Sequence, residues 1–397
     1  MQPHDYRCHS DRMLAEALAE ESAIKPLIRA HAERDQTMGT RRSLLAQALR
    51  LTPAIAPDLH KTLDACKELL SVESDVELYV YASAQFNAAC TAPEGTRVFV
   101  LLSSALAESF SHDELAFVIG HELGHHVFDH HALPVKLLTN PEHKLGASLI
   151  LRLMSWQRYA EISADRAGLM CAGALDPAAR GLFKLSSGLR ASPGEAQVRA
   201  YLEQAQELYA EAERVDGPGV HRDWLSTHPF SPVRLSAGEA FADSAVMRDG
   251  GPSLEQVERA VHGFMSLMEP SYLEETSDEA EIMRRVLFAA GVILAASDGN
   301  IADSEVDSLT EMLGHGRMPA NLNVEALTED LDRRLDRCHE QVRPSRRAQL
   351  LRDLALVARA DTAVHDSERA FLVSLAHRLE VDEQVVLQAL VASVELD

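Results

Sequence analysis

Positive charge is scarce in this chain. Lys and Arg number 38 against 61 Asp and Glu, which gives a formal net charge of -23 over 397 residues. Sequence-independent binding to nucleic acid or anionic lipid needs clustered Lys and Arg, so the imbalance argues against both. It fits a soluble, self-repelling surface instead. Cysteine is sparse too: Cys8, Cys66, Cys90, Cys171 and Cys338 are scattered, odd in number and form no CxxC pair. A disulfide framework or a cysteine-zinc site is therefore not expected, and a reducing, cytoplasmic compartment fits better. Long apolar runs are missing. No window reaches the roughly 18 apolar residues of a membrane span. The best candidate, Leu145 to Trp156, is short and carries Arg152. Met1 to Arg12 lacks an apolar h-region, so no signal peptide is expected.

What is present is enough apolar material, 46% of the chain, for at least one sizeable core. The length suits two or three domains. The periodicities predict a mostly α fold with a small β-sheet. Leu14, Leu18, Leu27 and Ile28, then Leu44, Leu45 and Leu49, recur near helical spacing before a break at Pro53 and Pro57. Val76, Leu78, Val80 and Tyr81 suggest one strand and Arg97 to Leu102 another, with a loop over Ala84 to Gly95. Ser111-His-Asp-Glu114 has the form of a capping box before a helix from about Asp113 to His131. Further helices are expected over about Leu145 to Cys171 and Glu195 to Glu213, with a turn at Asp216-Gly-Pro-Gly219. Arg248-Asp-Gly-Gly-Pro252 reads as a linker. Beyond it the chain is helical in pattern and internally duplicated. Asp298, Ile301, Asp303 and Glu305 match Asp361, Val364, Asp366 and Glu368 at an offset of 63.

The chemistry concentrates in His121-Glu-Leu-Gly-His125. On a helix, residues four apart share a face, so His121 and His125 can present two imidazoles to one Zn2+. Glu122 lies about 100° round from His121, beside the metal without being a ligand. There it can take a proton from a water that the metal activates and deliver it to a leaving amine. Gly124 gives a small face where a partner helix can approach.

A catalytic zinc needs a third protein ligand and one open position. His131, six residues after His125, has the metzincin spacing, but that route needs a sharp turn with Gly where this chain has Phe128. The alternative is a carboxylate from a second helix. Tyr159-Ala-Glu-Ile-Ser-Ala-Asp-Arg166 supplies Glu161 as a ligand, and Asp165 four residues on to accept the other ring N–H of His121. Asp129 and His130 lie close enough to the motif to support it or simply to pack.

Together, His121-Glu-Leu-Gly-His125, Glu161-Ile-Ser-Ala-Asp165 and His228-Pro-Phe-Ser-Pro-Val-Arg234 resemble the gluzincin family of CAAX prenyl proteases, HtpX heat-shock proteases and the mitochondrial Oma-type protease. The resemblance also takes in Asn87-Ala88 and spans roughly residues 55 to 245. It implies a zincin-like fold and hydrolysis of peptide bonds in a protein or peptide substrate. It implies that the strand carrying Val98, Val100 and Leu102 is the edge on which an extended substrate pairs; an ordinary interior strand is the alternative. It implies site roles for His228, as donor to a developing oxyanion, and for Arg234, as orienter of nearby carboxylates. A simple turn and a structural ion pair are the alternatives for these two.

The Asp-Gly-Asn-Ile pattern after Ser297 resembles the tellurite-resistance TerB-like helical domain over about residues 280 to 390. That resemblance implies a second metal at Asp298 and Glu305; helix capping is the competing reading. The expected division is thus a helical N-terminal extension (1–54), a gluzincin metallopeptidase domain (55–250) and a TerB-like domain (251–397). The last is expected to bind a regulatory protein partner or to govern the peptidase, and the helices of residues 11 to 50 are a second candidate for an inhibitory cover. The rival class is a scaffold protein whose zinc is structural or latent.

Overall fold

The computed structural model describes residues 2–35, 39–143, 145, 147–212, 228–266, 268, 277–296, 323–358 and 364–391. The fold is mostly helical with one small sheet, as the periodicities predict. The chain divides into two compact units. One comprises residues 1–140, 155–205 and 228–265, and the other residues 141–154, 206–227 and 266–397.

The first unit opens with α1 (His9–Glu20), α2 (Lys25–Asp35) and α3 (Thr40–Gln47), then β1 (Leu49–Leu51) and α4 (Pro57–Leu69). The sheet continues through β2 (Asp75–Tyr81), β3 (Ala88–Cys90) and β4 (Arg97–Ser103). After α5 (Ser104–Ser109) come α6 (His112–Val127), α7 (Val135–Leu138), α8 (Ala147–Ala172), α9 (Leu175–Ser187) and α10 (Glu195–Ala212). Then follow α11 (Ser231–Ala242) and α12 (Leu254–Met265). Helices α8 and α10 each run from one unit's residue range into the other's.

The four strands lie in the order β1-β2-β4-β3. β2 and β4 are parallel, while β1 and β3 pair antiparallel at the two margins. In β4, Val98, Phe99, Val100 and Leu102 are all fully buried. A strand covered on both faces reads as a continuous apolar run, and this one does. The expectation that Val98, Val100 and Leu102 form a substrate edge is therefore corrected. β2 takes one side of β4 in register Val98 to Val76, and β3 takes the other in register Val100 to Cys90. The edge strand beside β4 is β3, inside the segment expected to be a loop. Ala88-Ala89-Cys90 has no β-branched or aromatic residue, so nothing in its composition announces a strand.

Helix α6 packs against α4 and α9 and has contacts with β3 and β4. Its N-terminus is the predicted capping box: Ser111 Oγ accepts from Glu114 N at 3.4 Å, and Glu114 Oε2 accepts from Ser111 N at 2.8 Å. Glu114 is itself fully buried and is neutralised by the buried Lys184 ammonium at 2.7 Å. The helix ends at Val127, short of the expected His131, because Asp129 takes a left-handed conformation (φ 56°). Asp tolerates that region better than most residues.

The second unit contains helices Asp278–Ala295, Val324–Gln341, Pro344–Ala358, Asp366–Arg378 and Glu383–Val391. Val286, Leu287, Leu335, Leu351, Leu354 and Leu375 form the centre of its core. Ser277 and Asn323 cap two of these helices through side-chain oxygens. Asp298, Glu305 and Asp361 lie outside the described residues, as does the turn expected at 216–219. Of the duplicated acidic positions, Asp366 and Glu368 are described; Asp366 begins a helix, and Glu368 accepts from the His365 N–H at 2.6 Å as a helix cap. Among the described residues no helix is long and apolar enough to cross a membrane.

Candidate metal centre

The site exists because two helices cross very closely. A Cβ built on Gly124 would stand 2.9 Å from Ala167 Cβ and 3.0 Å from Ala164 Cα. One on Gly120 would meet Cys171 Cβ at 2.7 Å, and one on Gly168 would meet the Phe117 ring at the same distance. Glycine on both helices removes that obstruction, so α8 lies against the His-bearing face of α6. Glu161 then faces His121 and His125, one helical turn apart.

The three groups aim at one point. His121 Nε2 and His125 Nε2 are 3.2 Å apart, and the Glu161 carboxylate oxygens lie 3.5 Å and 3.4 Å from them. Ligands held about 2.0–2.1 Å from one tetrahedral zinc ion are about 3.3 Å from each other, so the spacing fits such an ion. The chemistry of the donors fits as well. The outer nitrogen of each imidazole is hydrogen-bonded, which leaves both Nε2 lone pairs directed inward beside a carboxylate. Among the described residues His121, His125 and Glu161 are the group able to hold an ion, and His131 is not in it.

Each imidazole has its own support. His121 Nδ1 is 2.9 Å from Asp165 Oδ1. Arg234 grips Asp165 with a two-pronged contact, Nε to Oδ2 at 2.8 Å and Nη2 to Oδ1 at 2.7 Å, and its Nη2 is 3.5 Å from Glu161. His125 Nδ1 is 2.9 Å from Nδ1 of His130, whose Nε2 is 3.1 Å from Asp11 Oδ2. Asp11 is fully buried and also accepts from Arg7, Trp156 and Ser163. The motifs led to Asp165 and Arg234. They left His130 unassigned and gave no role to Asp11. The left-handed turn at Asp129 folds His130 back onto His125, while Asp129 itself serves the turn.

The protein's own groups set strongly divergent proton affinities. Burial raises the Glu122 carboxyl to about 7; His121 and the Cys90 backbone N–H pull it down, and Glu161 pushes it up. Burial acts the same way on Glu161, but His228, His121, His125 and Arg234 outweigh it and hold that carboxyl far below the usual range. Asp165 is likewise lowered, by Arg234 and His121 against the cost of burial. Burial drives His125 well below its ordinary value, while Asp165 and Glu161 overcome burial at His121 and raise it. Two neighbouring carboxylates thus differ in character: Glu161 stays anionic, and Glu122 exchanges a proton near neutrality. His228 Nε2 lies 3.6 Å from Glu161 Oε1, on a side chain 47% exposed.

A pair of histidines on one buried helix, crossed by a carboxylate-bearing helix with a proton-exchanging Glu alongside, defines a metallopeptidase-type centre. Residues 53–141 and 142–241 match Peptidase family M48, and residues 284–390 match Tellurite resistance protein TerB. The chain therefore carries an M48 peptidase domain followed by a TerB domain. It is also similar to the plastoglobule-localized metallopeptidase 48, chloroplastic, of Arabidopsis thaliana, with 33% identity over 158 residues. That match covers 38% of this chain and 46% of the relative, so the chain spans less than half the length of that relative. No solved structure gives a significant match.

Proposed function

We propose that the chain is a zinc-dependent endopeptidase acting on proteins or peptides. His121, His125 and Glu161 hold the metal, and Glu122 is general base and then general acid. The observation that carries this reading is the inward-facing nitrogen and carboxylate triangle with Glu122 buried beside it. Zinc bound there supplies Lewis acidity and lowers the pKa of a water to about 7. Glu122, poised at about 7, takes the proton of the attacking water and returns it to the departing amine.

The edge strand supports a place for the substrate. Thr91 N–H donates to Phe99 O at 3.0 Å and Ser103 N–H to Asn87 O at 2.9 Å, so these residues form the bonded pairs with β4. Antiparallel alternation then turns the backbone groups of Ala88 and Cys90 outward. The Cys90 N–H serves Glu122, and Ala88 offers its groups to an extended peptide by strand addition. His228, partly exposed beside Glu161, is the donor for the developing oxyanion. Arg234 acts through Asp165.

Residues 55–250 carry the chemistry in this reading, and the TerB-like part, 251–397, regulates or targets it through a protein partner. The five free thiols support a reducing, cytoplasmic compartment. The test is metal analysis with a casein-cleavage assay on the full wild-type chain and on Glu122→Gln. Both are expected to bind zinc, with cleavage falling at least about 100-fold in the variant. Equal cleavage by the two overturns the mechanism, and zinc without cleavage in the wild type favours a latent or scaffold protein.

A further inference from the structure

We infer that Asp11, on the N-terminal helix α1, is a positioning residue of the metal centre that acts on His125 through the ring of His130. The inference rests on the metal-centre reading above and adds to it a part of the chain that precedes the matched peptidase segment, which begins at residue 53.

A carboxylate with no exposed surface must have its lone pairs filled, and five hydrogen bonds reach that of Asp11. Oδ2 takes Arg7 Nε at 2.7 Å, Ser163 Oγ at 2.6 Å and His130 Nε2 at 3.1 Å. Oδ1 takes Arg7 Nη2 at 2.8 Å and Trp156 Nε1 at 3.0 Å. Four of those contacts come from groups that can only donate or are already committed. Trp156 and Arg7 are donors only, and Ser163 Oγ accepts the Cys8 backbone N–H at 3.0 Å, which leaves its own hydrogen for Asp11. The carboxylate is thus fixed in place before His130 is considered.

The proton order along the chain then follows. Asp11 can only accept, so His130 must carry its hydrogen on Nε2. A neutral His130 then presents a lone pair at Nδ1, 2.9 Å from Nδ1 of His125. That contact requires the hydrogen of His125 to sit on Nδ1, which leaves the Nε2 lone pair facing His121 and Glu161. The tautomer that can ligate a metal is therefore specified from Asp11, 119 residues from His130 in sequence. His121 is fixed in the same sense by a direct carboxylate, Asp165. The centre has two carboxylate-backed imidazoles, one in direct contact and one through an intervening ring. Partners of this kind set ring orientation and basicity, and their removal typically costs about 10–100-fold in metal affinity.

The packing agrees. The His130 ring lies between Phe128 and Trp156, at centroid distances of 5.7 Å and 5.8 Å, which leaves it little freedom to turn. The Tyr6 carbonyl accepts from Arg166 Nη1 at 3.2 Å, which ties the segment before α1 to α8, the helix that carries Glu161. α1 is built into the support of the site.

The test is zinc affinity of the full chain, measured by competition with a chelator of known affinity, on wild type, Asp11→Asn, His130→Phe and the double variant. The absorption spectrum of the cobalt(II)-loaded proteins is recorded in parallel. Asp11→Asn is expected to weaken zinc about 10–100-fold and to change the cobalt band shape. In the double variant the loss is expected to match that of His130→Phe alone, because Asp11 acts only through that ring. A merely structural role gives losses that multiply. Multiplying losses, or a folded Asp11→Asn with wild-type affinity, overturns the inference while leaving the metal centre intact. A wild-type chain that binds no zinc overturns both. If Asp11→Asn does not fold, Ser163→Ala removes one donor from the same carboxylate oxygen. It is expected to weaken zinc several-fold with His130 present and not in His130→Phe, and equal effects in both backgrounds overturn the inference.

Discussion

Both units bury charged side chains, but they use them differently. In the peptidase unit, Asp11, His130, His121, Asp165 and Glu161 are all nearly or fully buried, and their contacts converge on one small volume. In the TerB unit two of the buried charges, Glu368 and Arg347, serve helix ends. Glu368 satisfies the N-terminus of helix Asp366–Arg378 through His365 N, and Arg347 donates at 2.6 Å to the Leu379 carbonyl just past its end. Arg352 pairs with its own neighbour Asp353. A buried charge is thus weak evidence for chemistry on its own. Convergence is what separates the two cases, since chemistry needs several groups at one atom.

Convergence on one atom makes Glu161 the most sensitive position of either unit. Glu161→Gln is expected to abolish both tight zinc binding and cleavage, a loss of more than about 100-fold and beyond that of any outer partner. Metal analysis of the folded variant checks this. In the other unit, Leu354→Ala empties a fully buried position and is expected to cost about 2–5 kcal/mol in denaturant unfolding. Zinc affinity should stay within about twofold, as for a residue of the other unit's core. A smaller effect belongs to the helix crossing. Gly124→Ala sets a methyl 3.0 Å from the backbone of Ala164, which cannot swing aside as a side chain end would. About 1–3 kcal/mol of stability should be lost, with weaker zinc binding in the same protein.

The smallest effect concerns pH and the surface of the TerB unit. Burial raises the Glu279 carboxyl, but Arg343 and Arg346 outweigh it and leave it below its ordinary value. A depressed folded-state value means that the stabilisation is present above the unfolded value, about 4.3, and is lost as pH falls through the lower folded one. Urea midpoints at neutral and acid pH should therefore diverge less in Glu279→Gln than in the wild type.

The sequence carried the site's inner groups because helical spacing is local. His121 with His125, and Glu161 with Asp165, are each four residues apart, and each pair lies on one helix face. Gly124 also signalled a close partner, and α8 is that partner. What escaped was decided by tertiary contact. β3 is made a strand by β4, not by its Ala-Ala-Cys composition. His130 enters the site through a single left-handed residue, and Asp11 through a contact with no local pattern at all. An Asp between Arg7 and Arg12 at the start of a predicted helix was the available signal, and it is too common to point anywhere. In the TerB unit helix Asp366–Arg378 begins at the Asp366 of the pattern's second copy, while Asp298, Ile301, Asp303 and Glu305 of the first lie outside the described residues.

The central claim is a zinc held by two imidazoles and one carboxylate. Zinc-edge X-ray absorption on the full chain tests it most directly. The account predicts one zinc with nitrogen and oxygen neighbours at about 2.0–2.1 Å, imidazole outer-ring scattering from two histidines, and no sulfur. A sulfur neighbour at about 2.3 Å, or scattering from a single imidazole, would contradict it.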